Sequence, residues 1–166
     1  MVDSVLLDLA QSLGNTLTRK QWRIATAESC TGGGVAAAIT AIAGSSNWFE
    51  YGVVSYANIA KQTLLGVNPD TLDREGAVSE AVVSEMARGA IALSGANIAV
   101  AISGIAGPGG ATPGKPVGTV WFAWLTASGD LKTDVQHIAG DRAAVQRGAV
   151  IHALEGALEL CQKNTV

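Results

Sequence analysis

Cationic surplus, metal-ligating side chains and long apolar runs are what this sequence has least of. Eleven Lys and Arg stand against fourteen Asp and Glu, a formal net charge of -3, so the clustered cations that phosphate neutralisation along a nucleic acid requires are missing. No nucleic-acid partner is expected. The longest apolar stretches, such as residues 98–102, fall far short of the roughly 20 residues that span a bilayer, and no membrane role is expected. Two cysteines, Cys30 and Cys161, cannot build a disulfide framework, which makes a reducing cytoplasm the natural compartment. The opening Met1-Val2-Asp3-Ser4 has neither a basic nor a cleavable apolar segment, so no secretory signal is expected. Two histidines, His137 and His152, lie far from both cysteines. They form no ligand spacing, read as structural, and leave no metal or other cofactor expected.

Glycine is present in excess: 20 in 166 residues, against about 7 per hundred on average. With 48% hydrophobic and 15% charged residues, the sequence reads as one soluble domain over residues 1–166, able to bury roughly 70% of its unfolded surface. So apolar a composition with so few charges also predicts a homo-oligomer, because a monomer would expose apolar patches.

The pattern predicts a first helix over 4–19, with Val5, Leu6, Leu9, Leu13 and Leu17 on one stripe. A strand over 22–27, a turn over 28–33 and a small-residue helix over 35–43 follow. Residues 44–47 break that helix, and 48–56 has the aromatic and β-branched content of a strand. A helix over 58–65 stops at Gly66, a short helical turn starts at Asn68-Pro69, and Ser79 caps a helix over 80–93 that closes at Gly95. Residues 97–103 form a continuous apolar run, the sign of a strand buried on both faces. Beyond a Gly/Pro-rich loop over 104–116, residues 117–127 and 131–138 flank a Ser128-Gly129-Asp130 turn as a hairpin. Asp141 caps a last helix to about residue 161. Helix–strand alternation giving way to a hairpin predicts a three-layer α/β/α sandwich, its sheet mixed and mostly parallel. The glycines sit at element ends, so they are turns and not spacer.

Open α/β sheets bind ligands beyond the carboxyl ends of their strands. In residues 28–33, Ser29, Cys30 and Thr31 precede Gly32 and Gly33 at a helix start, where free N–H groups and the dipole suit a phosphate or carboxylate. The same residues serve equally as a plain helix cap. The Ser103-Gly104-Ile105-Ala106-Gly107-Pro108 loop either lets backbone N–H groups approach a ligand or simply reverses direction. Residues 109–116 satisfy seven positions of a Walker A phosphate loop, but the eighth is Pro116 and a strand follows instead of a helix. Nucleoside triphosphate hydrolysis is excluded. Lys61 lies early in its helix, where the dipole disfavours its charge, so it can serve as a base toward a serine. Tyr56 ends the preceding strand, Ser45-Ser46 precedes that same strand, and the three residue types together suffice for amide hydrolysis.

Seven ordered blocks then carry a resemblance: Thr26-Ala27-Glu28-Ser29-Cys30-Thr31-Gly32-Gly33, Gly44-Ser45-Ser46, Tyr56-Ala57-Asn58 with Lys61, Gly76-Ala77-Val78-Ser79, Ser103-Gly104-Ile105-Ala106-Gly107-Pro108, Lys115-Pro116-Val117-Gly118-Thr119-Val120 and Gly140-Asp141-Arg142. From about residue 5 to 160 the sequence resembles the CinA C-terminal domain family. The resemblance implies a three-layer α/β/α domain and, in stand-alone members, hydrolysis of nicotinamide mononucleotide to nicotinic acid mononucleotide and ammonia without a metal. By it, Ser46 is expected as nucleophile, Lys61 as base and Tyr56 as proton shuttle, with Ser29 the rival nucleophile. Ser29, Thr31, Gly32 and Gly33 are expected on phosphate or oxyanion, Ser103 and Gly104 on ribose or carboxamide, and Arg142 on phosphate. Two alternatives stand beside this reading: a pyridine-nucleotide-binding module without turnover, and a Cys30-based amidase using Lys61 and Glu28.

Overall fold

The computed structural model describes residues 2–163. Helix α1 (Ser4–Lys20) starts at Asp3, whose carboxylate accepts the Leu6 N–H, and buries the stripe of Leu6, Ala10, Leu13 and Leu17. Strand β1 (Ile24–Glu28) is followed by the short α2 (Gly34–Thr40), a 3₁₀ turn (Ser45–Asn47) and β2 (Phe49–Val54). Three helices then run in succession: α3 (Asn58–Leu65), α4 (Pro69–Glu75) and α5 (Glu80–Ser94). Asn68 caps α4 and Ser79 caps α5 with their side chains, while Gly66 and Gly95 take the left-handed conformation that ends α3 and α5. Strands β3 (Ile98–Gly104), β4 (Thr119–Thr126) and β5 (Leu131–His137) precede the long α6 (Arg142–Lys163), at whose start Asp141 accepts the Ala144 N–H at 2.9 Å.

The sheet order is β2-β1-β3-β4-β5. Strand β1 is parallel to β2 and β3, and β4 is antiparallel to both β3 and β5. Four strands therefore point one way and β4 the other, the mixed, mostly parallel sheet that the alternation predicted.

Strand alternation sorts the core into two compartments. Ile98, Val100 and Ile102 of β3 meet α1, α2 and α6 with Phe122 and Trp124 of β4. Ala99 and Ala101 of β3, with Ala25 and Ala27 of β1, face Val82, Val83, Met86 and Ala87 of α5. Large residues on one face and alanines on the other let α5 lie close to the sheet. Two glycines are required by close approach: a Cβ on Gly156 would lie 2.2 Å from the Trp124 indole, and one on Gly89 would lie 1.9 Å from the Leu65 carbonyl oxygen.

The expected α2 extended to residue 43, but the helix ends at Thr40 and gives way to a turn. A seven-residue run of small residues, with no side chain to cap its carboxyl end, does not propagate further. Among the described residues, no helix is long and apolar enough to cross a membrane, and no group of three or more His, Cys, Asp or Glu residues could hold a metal ion.

Candidate active site

Strand β1 lies between β2 and β3, so the backbone leaves β1 to one side first and returns to its other side later. That is the topological switch point at which open α/β sheets form their ligand crevice. A cavity of about 310 Å³ opens there, lined by Ser29, Tyr56, Asn58, Lys61, Ser103 and Arg142, with the 104–110 loop as one wall and Ala77 and Val78 as another. Its size falls within the roughly 300–1,000 Å³ typical of small-molecule sites.

Each of these residues arrives from a strand end or a helix start. Ser29 follows β1, and its N–H donates to the Ile102 carbonyl of β3 at 3.0 Å. Because Glu28 registers with Ile102, the next step sets Ser29 beside Ser103. Ser103 is 1% exposed. Lys61 comes from the second turn of α3 and is also 1% exposed. Its Nζ lies 2.9 Å from Ser29 Oγ, 2.8 Å from the Ser55 carbonyl and 3.2 Å from the Tyr56 carbonyl. No carboxylate among the described residues pairs with it, and burial pushes its pKa below the ordinary 10.5. In the neutral amine, two N–H groups satisfy the two carbonyls and the lone pair is left for the Ser29 hydroxyl proton. Those three contacts assemble a serine–lysine couple.

Ser46 does not join it. It lies in the 3₁₀ turn before β2, is exposed, and its carbonyl accepts from Arg23, which precedes β1. Arg23 also holds the Asn47 carbonyl and the Glu50 carboxylate. Ser46 thus sits at the amino ends of β1 and β2, a strand length of about 20 Å from Lys61. The serine that meets Lys61 is Ser29, the rival candidate, and not Ser46.

Thr31, Gly32 and Gly33 also lie off the cavity lining. The anion expected at the start of α2 is internal: the fully buried Glu28 carboxylate accepts from Val35 N at 2.9 Å, Ala36 N at 3.0 Å and Thr31 Oγ1 at 2.7 Å. With that position filled by the protein's own carboxylate, no phosphate or oxyanion can take it. Ser29, Ser103, Gly104 and Arg142 do line the cavity.

Tyr56 reaches Lys61 through its carbonyl. Tyr56 is 58% exposed, and its phenol accepts at Oη from Arg142 Nη2 at 2.9 Å. Arg142 Nη1 donates to the Gly107 carbonyl at 2.8 Å, so one guanidinium ties the rim of the cavity to its loop. The sequence offers the 103–108 loop as a source of backbone donors, and Cys30, Gly109 and Gly110 are the donors it does not reveal. The N–H groups of Cys30, Gly107, Gly109 and Gly110 find no acceptor in another described residue, and the left-handed Gly107 and Gly110 (φ 82° and 94°) shape the loop that presents three of them. The signal was the Gly107-Pro108-Gly109-Gly110 run, read only in part.

Cys30 is 5% exposed, and desolvation pushes its thiol up to about 12. A thiol so protonated is no nucleophile near neutral pH. His152 stacks edge-on against Phe122 and meets Asp134 at 2.7 Å, and His137 Nδ1 lies 3.4 Å from Thr119 Oγ1, both remote from the cavity. A larger groove of about 840 Å³ adjoins across Val78, lined by Arg74, Glu75, Glu80, Glu85, Arg88 and Lys115 among others. There Thr71 Oγ1 donates to Glu85 Oε1 at 3.3 Å, and the serine–lysine couple lies in the smaller cavity.

Fold and site together define an α/β domain with a buried serine–lysine couple at its ligand crevice. The protein belongs to the CinA C-terminal domain family, whose profile matches residues 6–161. It is 51% identical over 165 residues to the nicotinamide-nucleotide amidohydrolase PncC of Escherichia coli K12, covering 99% of this sequence and all of that protein. To the protein of the same name from Pseudomonas putida it is 53% identical over 152 residues, 92% of this sequence and 94% of the relative. Among solved structures it superposes on the CinA superfamily protein of Klebsiella pneumoniae 700603 with a TM-score of 0.92 at 42% identity, covering 95% of this protein and 98% of that one. The competence/damage inducible protein of Agrobacterium tumefaciens gives 0.93 at 40% identity, with 96% and 98% covered.

Proposed function

We propose that this protein is a nicotinamide-nucleotide amidohydrolase that converts nicotinamide mononucleotide and water to nicotinic acid mononucleotide and ammonia, with Ser29 as nucleophile and Lys61 as base. The observation that carries the chemistry is the 2.9 Å approach of Lys61 Nζ to Ser29 Oγ, both buried at the crevice. The substrate comes from the names of full-length relatives at 51% and 53% identity.

Neutral Lys61 takes the Ser29 proton as Oγ attacks the carboxamide carbon. The tetrahedral oxyanion falls to the N–H of Cys30, the residue after the nucleophile; one such donor is typically worth roughly 3–4 kcal/mol in the transition state. Lysinium then returns its proton to the nitrogen, the C–N bond breaks, and ammonia leaves a Ser29 ester. Tyr56 assists as donor, since its oxygen already accepts from Arg142 and its own hydrogen is free. Water, deprotonated by Lys61, attacks the ester, the C–Oγ bond breaks and Ser29 recovers its proton. Ser103 and Gly104 face the carboxamide or ribose. The phosphate is held by the unpaired N–H groups of Gly107, Gly109 and Gly110 and by Arg142. These steps need neither metal nor cofactor, and the function fits a cytoplasmic enzyme.

The test is to incubate the purified protein with nicotinamide mononucleotide and measure ammonia and nicotinic acid mononucleotide together. Equal release of both, lost in Lys61→Ala, is expected. Substrate binding without either product would make this protein a nucleotide-binding module.

A further inference from the structure

The turn from β1 into α2 holds its carbonyls by different means. The Ser29 carbonyl accepts from Gly32 N and the Thr31 carbonyl from Gly34 N, both at 3.0 Å. No backbone N–H of a described residue reaches the Cys30 carbonyl between them. Cys30 is buried, and a buried carbonyl is costly to leave unmet. Its partner comes from 116 residues further on: Gln146 Nε2, in the second turn of α6, donates to it at 3.0 Å. Gln146 does not line the cavity that holds Ser29 and Lys61. It lies behind the turn, where with Thr31, Gly34 and Val150 it borders a separate cavity of about 380 Å³.

We propose that Gln146 is a positioning residue for the hydrolysis, locking the turn so that Ser29 Oγ and the Cys30 N–H keep the spacing that attack and oxyanion capture require. This role rests on Ser29 as the nucleophile proposed above. The bonds to Gly32 and Gly34 are internal to the turn and its helix start, so they move with it. Gln146 instead ties the turn to another element. The Cys30 N–H and the Cys30 carbonyl sit in rigid peptide planes joined at one α-carbon, so holding the carbonyl restricts where the N–H can point. Helix α6 is a firm mount for the clamp: Asp141 caps its start, and Val145 and Ala149 on either side of Gln146 are fully buried. Arg142 lies four residues earlier, on the same helix face, and holds the Gly107 carbonyl and the Tyr56 phenol. Successive turns of α6 thus grip the loop wall of the cavity with one side chain and the nucleophile turn with the next. A carboxamide is a neutral donor, so the clamp adds no charge beside that turn.

The test compares Gln146→Met, which keeps the length and removes the donor, with Gln146→Glu, which sets a carboxylate oxygen against the carbonyl. With nicotinamide mononucleotide, Gln146→Met is expected to lower kcat between about 10- and 100-fold while KM stays within about 3-fold of wild type. The midpoint of its kcat/KM profile against pH is expected to stay in place, because Lys61 keeps its surroundings. Gln146→Glu is expected to lose more. A second readout needs no nucleotide: a small alkyl fluorophosphonate, to which Ser29 Oγ bonds at phosphorus while Lys61 takes the proton, the P–F bond breaks and fluoride leaves. Its rate in Gln146→Met is expected to fall about as far as kcat, both being counted per folded molecule by circular dichroism. If Gln146→Met does not fold, Gln146→Glu carries the same comparisons. Wild-type kcat and labelling rate in the variant, a loss lying wholly in KM, or a displaced pH midpoint overturns the clamp. A wild type that is labelled at Ser29 but releases no ammonia defeats the substrate reading alone; slower labelling of the variant then supports the clamp and equal labelling overturns it.

Discussion

Lys61 is buried with backbone carbonyls and a serine hydroxyl for company, and burial is what favours its neutral amine, the form the proposed base requires. Desolvation holds its pKa below 10.5, so the neutral amine that Ser29 requires grows in as pH rises through that lowered value. The expected kcat/KM profile therefore climbs with pH to a plateau, its midpoint below 10.5; a midpoint at or above the ordinary lysine value contradicts the role. The same shift couples to folding. Between the lowered folded value and 10.5 the unfolded state binds more protons, so Lys61 makes stability rise with pH across that window. Cys30 lies next to Ser29 with its thiol pushed up to about 12, and Cys30→Ala is expected to keep ammonia release within about 3-fold of wild type. A loss beyond about 100-fold, with the fold intact by circular dichroism, would return the cysteine to the mechanism. Lys61 was legible because its helix position marked it. Which serine it meets has a signal too: a residue that precedes a strand of a parallel sheet lies at the other end from one that follows it, and Ser46 precedes β2 while Ser29 follows β1.

At the scale of the elements, Glu28 couples the site to the fold. It ends β1, caps α2 through two backbone N–H groups and one hydroxyl, and so fixes the turn that presents Ser29. Glu28→Gln keeps the shape but turns an amide donor toward one of those donors. The expected loss is about 1–3 kcal/mol of unfolding free energy in denaturant titration, and no loss would remove Glu28 from this role. Its place was hidden in the sequence because Glu28-Ser29-Cys30-Thr31-Gly32-Gly33 reads equally as a site for an external anion; only the tertiary placement reveals that the anion is internal. Gly156 and Trp124 set how closely α6 lies on the sheet. Gly156→Ala forces its Cβ into the indole, which also donates to the Ala153 carbonyl at 2.9 Å, and is expected to cost at least about 1–3 kcal/mol by thermal unfolding. An unchanged Tm would mean that the helix shifts without cost. Element types were readable because caps such as Ser79 and Asp141 and the apolar run of β3 state them locally. The end of α2 was not, since nothing in its small residues marks a stop.

At the scale of the molecule, the sheet order creates the site. With β2 and β3 on either side of β1, the ends of three strands and the start of α6 converge, bringing together residues as distant in sequence as Ser29 and Arg142. Alternation of helices and strands made the layered class legible, and the crevice rule pointed to the ends of β1 and β3. Strand order has no local sequence signal, so which serine Lys61 would meet could not be read from spacing. The central claim is that Ser29 and Lys61 hydrolyse the carboxamide of nicotinamide mononucleotide. Ammonia release from that substrate, measured for wild type, Ser29→Ala and Ser46→Ala under identical conditions, tests it most directly. A fall of at least about 10⁴-fold in Ser29→Ala with Ser46→Ala near wild type is the predicted result, and an active Ser29→Ala beside an inactive, folded Ser46→Ala would contradict it.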